Sequence, residues 1–215
     1  MSTIKHITIV IADDHPIVRK GLKEILTETA DVFTVEEAQN GSEVLERVDR
    51  ESFDVIVLDI SMPGISGLDV LKQVKKKKNS VPVLVLSRHP EQQYALRVIR
   101  AGADGYLTKQ SAPTELASAI RKVANGGKYV SQALADQLLD YIREDGEKKP
   151  HEKLSDREFQ VMCLIAAGKT VGEIAREMSL SVNTISTYRL RLLEKMNLLN
   201  NAQIMYYAMN EGLLS

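Results

Sequence analysis

The sequence predicts two folds in tandem, a doubly wound parallel (βα)5 sheet and, behind a linker, an all-α four-helix domain. Three observations lead there. Short β-branched runs at residues 7–12, 55–58, 83–86 and 106–108 alternate with amphipathic stretches, as buried parallel strands alternate with crossover helices. Each run ends on a residue suited to phosphate or magnesium chemistry: Asp13 with Asp14, then Asp59, Ser87 and Lys109. Beyond residue 153 the strand patterns stop and only helical ones remain.

The first strand, ITIVIA at 7–12, is followed by Pro16, which suits the first position of a helix over 16–27. The second strand, 33–38, is less apolar and is placed nearer an edge. Helices over 42–50, 67–76, 91–101 and 113–124 complete the alternation, with Gly102 and Gly105 marking the entry to the fifth strand. After Gly126-Gly127 a helical pattern begins at Ser131 and dissolves at 144–153. That segment, EDGEKKPHEK, is charged and broken by Gly146 and Pro150, so it reads as an exposed linker. Ser155 and Glu158 have the spacing of a capping box, and Gly168 stops the helix they open. Helices over 171–178 and 182–196 flank a tight turn, and a last one, 202–210, ends before Gly212. The resulting domains are 1–127, a helix and linker at 128–153, and 154–215.

A chain of 215 residues accommodates two domains, each with its own core. Its 28 Lys and Arg against 29 Asp and Glu leave a formal charge of −1, which argues against a generally basic nucleic-acid coat. No apolar stretch reaches the ~18 residues of a membrane span, and no signal-peptide pattern opens the chain. A cytoplasmic protein without a membrane partner is expected. The single Cys163 cannot form an internal disulfide and is expected as a small buried hydrophobe.

In an open parallel sheet the ligand crevice lies at the carboxyl ends of the strands, so Asp13, Asp14, Asp59, Ser87 and Lys109 should converge. Three carboxylates repel unless a hard cation joins them, and Mg2+ prefers oxygen ligands. Lys109 and Ser87 supply a charge and a hydroxyl for phosphoryl oxygens. The set fits an aspartate that is itself phosphorylated. Haloacid-dehalogenase phosphatases use similar groups, but they place an Asp-x-Asp nucleophile after the first strand, where this chain has adjacent aspartates. Imidazole suits Mg2+ poorly, so His15 is assigned to helix entry before Pro16. The run Lys75 to Lys78 is assigned to a solvated helix C-terminus.

Two short helices and a tight turn before a longer polar-faced helix form a helix-turn-helix, whose 182–196 segment would enter the major groove. Ile185, Leu192 and Met196 share its inner stripe, flanked by Val182 and Leu193. Asn183, Thr187, Leu190 and Arg191 point the other way and are candidates for base edges, with Ser186 on the flank. Arg189 lies near the inner stripe, its stem buried and its guanidinium reaching a phosphate or an acidic neighbour. Thr184 and Tyr188 complete the candidate set on this helix. Residues 153–215 carry seven Lys or Arg against six Asp or Glu, a charge of only +1. DNA affinity is therefore expected from a focal patch of Lys169, Arg189, Arg191 and Lys195, and from dimerisation. Tyr206 and Tyr207 are expected as interface or core residues.

On the acidic pair Asp13-Asp14, the run Asp59-Ile60-Ser61-Met62-Pro63, Gly67, Ser87, Tyr106 and Lys109, the first domain resembles the receiver domain of two-component response regulators. The resemblance implies a phosphoacceptor at Asp59, with Mg2+ held by Asp14, Asp59 and the Ser61 carbonyl, Asp13 acting mostly through water. It further implies a Ser87/Tyr106 switch, a sensor histidine kinase as phosphoryl donor, and no turnover activity. On LSDRE at 154–158, Leu164-Ile165-Ala166-Ala167-Gly168-Lys169, Glu173-Ile174-Ala175, Leu180-Ser181, Thr184-Ile185 and Lys195-Met196, the second domain resembles the LuxR-type DNA-binding domain of the NarL/FixJ class. That implies a homodimer on double-stranded promoter DNA with an inverted repeat, and RNA polymerase as a further partner. Where many members have a basic residue and a histidine after Thr-Ile, this chain has Ser186 and Tyr188, a pattern similar to the BvgA/GacA/EvgA-like branch.

Two further departures stand beside the pocket. Gln110 follows Lys109 where the family has a proline, and a cis Lys-Gln bond would cost ~3 kcal/mol over trans. Arg88 follows Ser87 where a small residue is usual, and is expected to restrict access to Asp59. The alternative function is a DNA-binding regulator that no longer needs phosphate.

Overall fold

The computed structural model describes residues 6–29, 32–78, 80–143 and 149–213. Two compact units divide the chain, Met1–Ala135 and Asp136–Ser215. The first contains strands β1 (His6–Ala12), β2 (Val32–Ala38), β3 (Val55–Asp59), β4 (Val83–Ser87) and β5 (Gly105–Thr108). Its helices are α1 (Pro16–Thr27), α2 (Gly41–Arg50), α3 (Gly67–Lys77), α4 (Glu91–Arg100) and α5 (Ala112–Ala124).

The strands form one parallel sheet in the order β2-β1-β3-β4-β5, so the less apolar β2 is at an edge as expected. Ile7, Ile9 and Ile11 alternate with Val10 and Ala12 along β1, and all are buried, because helices cover both faces. On one face Val57 and Leu86 pack with Leu22 and Leu26 of α1 and Leu116 and Ile120 of α5. β3 and β4 run one residue further than the apolar runs, to Asp59 and Ser87, because Asp59 pairs with Leu86 and Ser87 with Thr108 in the sheet register. These side chains therefore sit on strand ends, not on loops.

Gly67 explains why α3 starts where it does. A Cβ there would lie 1.9 Å from the Asp59 carbonyl oxygen, so only glycine lets the helix N-terminus close on β3. Ser66 caps that helix by accepting the Asp69 N–H. Beyond α5, the Tyr129 carbonyl accepts the Tyr106 N–H at 3.0 Å and the Tyr129 N–H donates to Asp104 O at 2.9 Å, extending the free edge of β5.

Helix α6 (Gln132–Arg143) spans the division between the units. Of the expected linker, residues 144–148 lie outside the described residues, and Pro150–Lys153 form a 3-10 turn instead of irregular chain. Pro150 occupies its first turn, and the His151 ring packs against Phe159 and Tyr207. Four helices follow: α7 (Asp156–Ala166), α8 (Val171–Glu177), α9 (Val182–Met196) and α10 (Asn201–Asn210). Both bonds of the Ser155–Glu158 capping box are present, and Thr170 with Glu173 forms a second one on α8. Gly168 ends the first of these helices with φ +82°, a conformation that favours glycine. Phe159, Met162 and Cys163 are buried in α7, which packs on α9 and α10.

Candidate phosphoryl site and DNA-recognition helix

The β1, β3, β4 and β5 ends bring Asp13, Asp14, Asp59, Ser87 and Lys109 to one edge of the sheet, as the strand pattern required. Lys109 Nζ donates to Asp13 Oδ2 at 2.5 Å and to Asp59 Oδ2 at 2.7 Å. Both carboxylates are almost fully buried, so the ammonium supplies the positive charge they need. Burial pushes the Asp59 carboxyl above its ordinary range and Asp13 adds to that, while Lys109 and the Ser61 N–H pull the other way. The Ser61 N–H donates to Asp59 Oδ1 at 3.1 Å, and the His15 N–H donates to Asp13 Oδ1 at 2.9 Å.

The tightest group of potential metal ligands among the described residues is Asp13, Asp14 and His15, whose ligand atoms all lie within 4.8 Å of one another. Asp59 stands outside that group, joined to Asp13 through Lys109. His15 is the N-cap residue before Pro16, as expected, but its side chain makes no cap bond. Its Nδ1 instead lies 2.7 Å from Asp14 Oδ1, and Arg88 Nη2 donates to its Nε2 at 2.8 Å. Asp14 Oδ1 is buried and accepts no hydrogen bond, its near neighbour being the His15 ring in ion-pair range.

At the opposite corner, the His89 N–H donates to Ser87 Oγ at 3.0 Å and the Tyr106 hydroxyl donates to the His89 carbonyl at 2.7 Å. Tyr106 is buried, and that burial drives its hydroxyl pKa well above normal. His89 also stacks on Tyr94, with ring centroids 4.5 Å apart, and its Nε2 lies 3.4 Å from Ser61 Oγ. The Lys109 N–H donates to Ser87 O at 2.7 Å, and no cis peptide bond occurs among the described residues, so Lys109-Gln110 is trans.

Ser181 caps α9 by accepting the Thr184 N–H. Ile185, Leu192, Leu193 and Met196 are buried as the periodicity required, while Val182 is half exposed. Asn183, Thr187, Leu190 and Arg191 are exposed, and Thr184, Ser186 and Tyr188 flank them with intermediate exposure. Arg189 Nε donates to Asn201 Oδ1 at 2.6 Å, a neutral amide where sequence reasoning pointed to a phosphate or an acid. Lys195 Nζ donates to the buried Glu158 at 2.7 Å, and Lys169 pairs with Glu177. Of the four-cation patch, Arg191 alone makes no hydrogen bond or ion pair among the described residues.

The response regulator receiver domain model matches residues 9–121, and the model for bacterial regulatory proteins of the luxR family matches 152–208. The chain is a LuxR-type response regulator. It is 35% identical over 208 residues to the response regulator UvrY of Escherichia coli K12, covering 96% of this chain and 95% of that one. Its identity to the response regulator GacA of Pseudomonas aeruginosa is 31%, over 97% and 98% of the two chains. RcsB from Salmonella enterica serovar Typhimurium, bound to promoter P1flhDC in the presence of the phosphomimetic BeF3-, superposes with a TM-score of 0.63 at 28% identity, covering 94% and 98%.

A LuxR-type response regulator is a DNA-binding member of a two-component system, not a turnover enzyme. In this regulator, sequence reasoning missed His89, which ties Ser87 to Tyr106, and Arg19, which donates to the Asp13 carbonyl. His89 stands two residues past Ser87, and that proximity was the signal available. Arg19 had only its place on a helix face to mark it. No helix among the described residues is long and apolar enough to cross a membrane.

Proposed function

We propose that Asp59 accepts a phosphoryl group from the phosphohistidine of a sensor histidine kinase, and that this controls dimerisation and promoter binding by residues 154–215. The observation that carries it is the Lys109 ammonium bridging buried Asp13 and Asp59, beside Asp14, whose buried Oδ1 accepts no hydrogen bond. Asp59 attacks phosphorus in line. A P–O bond forms as the P–N bond breaks, and the departing imidazole keeps the electron pair and takes a proton from solvent. Lys109 and Ser87 hold the transferred oxygens, and a phosphorylated Asp59 draws on the Ser87 hydroxyl that now accepts the His89 N–H. Tyr106 follows through the His89 carbonyl.

The carboxylates of Asp13, Asp14 and Asp59 form an oxygen-rich set, and the buried Asp14 oxygen that accepts no hydrogen bond is a ligand atom a cation would satisfy, so the residues fit Mg2+. Asp14, Asp59 and the Ser61 carbonyl would hold it, with Asp13 through water. Bound there, Mg2+ would supply positive charge to offset that of the transferring phosphoryl group. Arg88, closed on His15, narrows the approach to Asp59 and slows exchange with small donors; Arg88→Ala should speed both phosphorylation and loss of the group.

For DNA, Asn183, Thr184, Ser186, Thr187, Leu190 and Arg191 supply base-edge contacts. Tyr188 acts beside them as a support, and Arg189, Lys195 and Lys169 as supports or phosphate contacts once their internal bonds open. The homodimer would set two such helices on an inverted repeat, and RNA polymerase would read the result. The domains are 1–127, 128–153 and 154–215, and the protein acts in the cytoplasm. The test is exposure to acetyl phosphate and Mg2+, then intact mass and sizing, with Asp59→Ala as control. An adduct of about 80 Da that depends on Asp59 supports the reading; its absence refutes it.

A further inference from the structure

Arg19 is a charged residue with 6% exposure, and its guanidinium faces inward from α1 to the loop that carries the acidic pair. Nη1 donates to the Asp13 carbonyl at 2.8 Å, and Nε donates to Glu37 Oε2 at 3.0 Å. Glu37 lies on the edge strand β2, with Lys23 Nζ 3.7 Å from its other oxygen. The Asp13 N–H donates to the Ala38 carbonyl at 3.2 Å. The peptide units on both sides of Asp13 are therefore anchored, one to β2 directly and one through Arg19.

The second of those units joins Asp13 to Asp14. Because a peptide is planar, pinning its carbonyl also sets where the Asp14 nitrogen and Cα lie. Asp14 has a buried oxygen that accepts no hydrogen bond. A buried guanidinium is costly unless its donors are met, and its rigid planar fork fixes the angle between a carbonyl and a carboxylate more firmly than the rotatable donors of an ammonium on a flexible stem. We infer that Arg19, held by Glu37, is a positioning residue for the divalent-cation site, fixing the Asp13–Asp14 peptide so that Asp14 presents its carboxylate; this rests on the Mg2+ reading above. The site is thereby tied to β2, the edge strand opposite β5, whose end leads to Lys109. Loss of such an outer partner costs about 10–100-fold in metal affinity.

The test uses the full chain and two variants, Arg19→Lys and Glu37→Gln. Mn2+ binding is read from the free-ion electron paramagnetic resonance signal, with Mg2+ as competitor, and phosphorylation by acetyl phosphate is followed against Mg2+ concentration. Arg19→Lys should weaken Mn2+ binding at least about 10-fold and Glu37→Gln by a smaller factor. The half-saturating Mg2+ concentration should rise in parallel, with the plateau rate at saturating Mg2+ within about two-fold of wild type. A general loss of structure would lower the plateau instead. Unchanged Mn2+ affinity in both variants beside a wild type that binds overturns the inference alone, as does a fallen plateau with unchanged half-saturation. A wild type that binds neither ion overturns the metal reading and the inference with it. Should Arg19→Lys not fold, Glu37→Gln decides by the same measures.

Discussion

The two units use charge in opposite ways. At the sheet edge, carboxylates of Asp13 and Asp59 are buried and share one ammonium, so each charge depends on the others. On the DNA-recognition helix, cations are numerous enough in sequence but Lys195 and Arg189 are held by Glu158 and Asn201, leaving a small outward face around Arg191. A buried cluster concentrates its energy in few contacts, whereas an exposed face spreads it and is screened by salt. Single substitutions should therefore be severe in the first unit and graded in the second.

The largest effect is expected at Lys109. Lys109→Ala should slow phosphorylation by acetyl phosphate at least about 100-fold, measured by intact mass against time. A rate within a few-fold of wild type would mean that the bridge is only structural. Gly67→Ala comes next, because the added methyl must displace the Asp59 carbonyl. A loss of about 3 kcal/mol in urea unfolding of the first unit is expected, and a change under about 0.5 kcal/mol would show that α3 shifts freely.

Smaller effects sharpen the contrast on α9. Arg191→Ala should lower specific promoter affinity by about 1–3 kcal/mol and reduce the salt slope by about one, read by fluorescence anisotropy at several salt concentrations. Lys195→Met should change DNA affinity less than Arg191→Ala but lower the melting temperature of the second unit, since it strands a buried carboxylate. The reverse ranking would put Lys195 on the DNA and break the comparison.

The smallest effect is a pH dependence. Although burial raises the Glu158 carboxyl, its bonds from Lys195 and Ser155 prevail and hold it below its ordinary value of 4.5. A depressed carboxylate contributes stability above the unfolded value, and that stability is lost as pH falls through the folded one. Thermal melts of the second unit should thus be flat from pH 6 to about 4.5 and decline below, with a shallower decline in Lys195→Met. Equal slopes would remove Glu158 from the account.

Several elements were legible because their causes are local. Pro16 opened α1, the Ser155–Glu158 box opened α7, and the stripe of Ile185, Leu192 and Met196 fixed which way α9 faces. The placement of Asp13, Asp59, Ser87 and Lys109 followed from strand period plus the rule that parallel sheets bind at their carboxyl ends. His89 was harder, because its place two residues past Ser87 marks it as near the pocket but does not show the bonds its main chain makes to the Ser87 and Tyr106 hydroxyls. Arg189 was read from helical phase, which locates a Cα but not the Asn201 amide that receives its guanidinium.

By itself the sequence determined the two folds, the order of their elements and the convergence of the acidic, hydroxyl and amine groups, since hydrophobic period and capping residues act within a few positions of themselves. Tertiary structure decided which charges satisfy one another: Lys109 between Asp13 and Asp59, Arg19 on the Asp13 carbonyl, Arg88 on His15, Lys195 on Glu158. Those partners lie far apart in the chain, and long side chains choose among neighbours only once packing has set which ones are within reach and shielded from water.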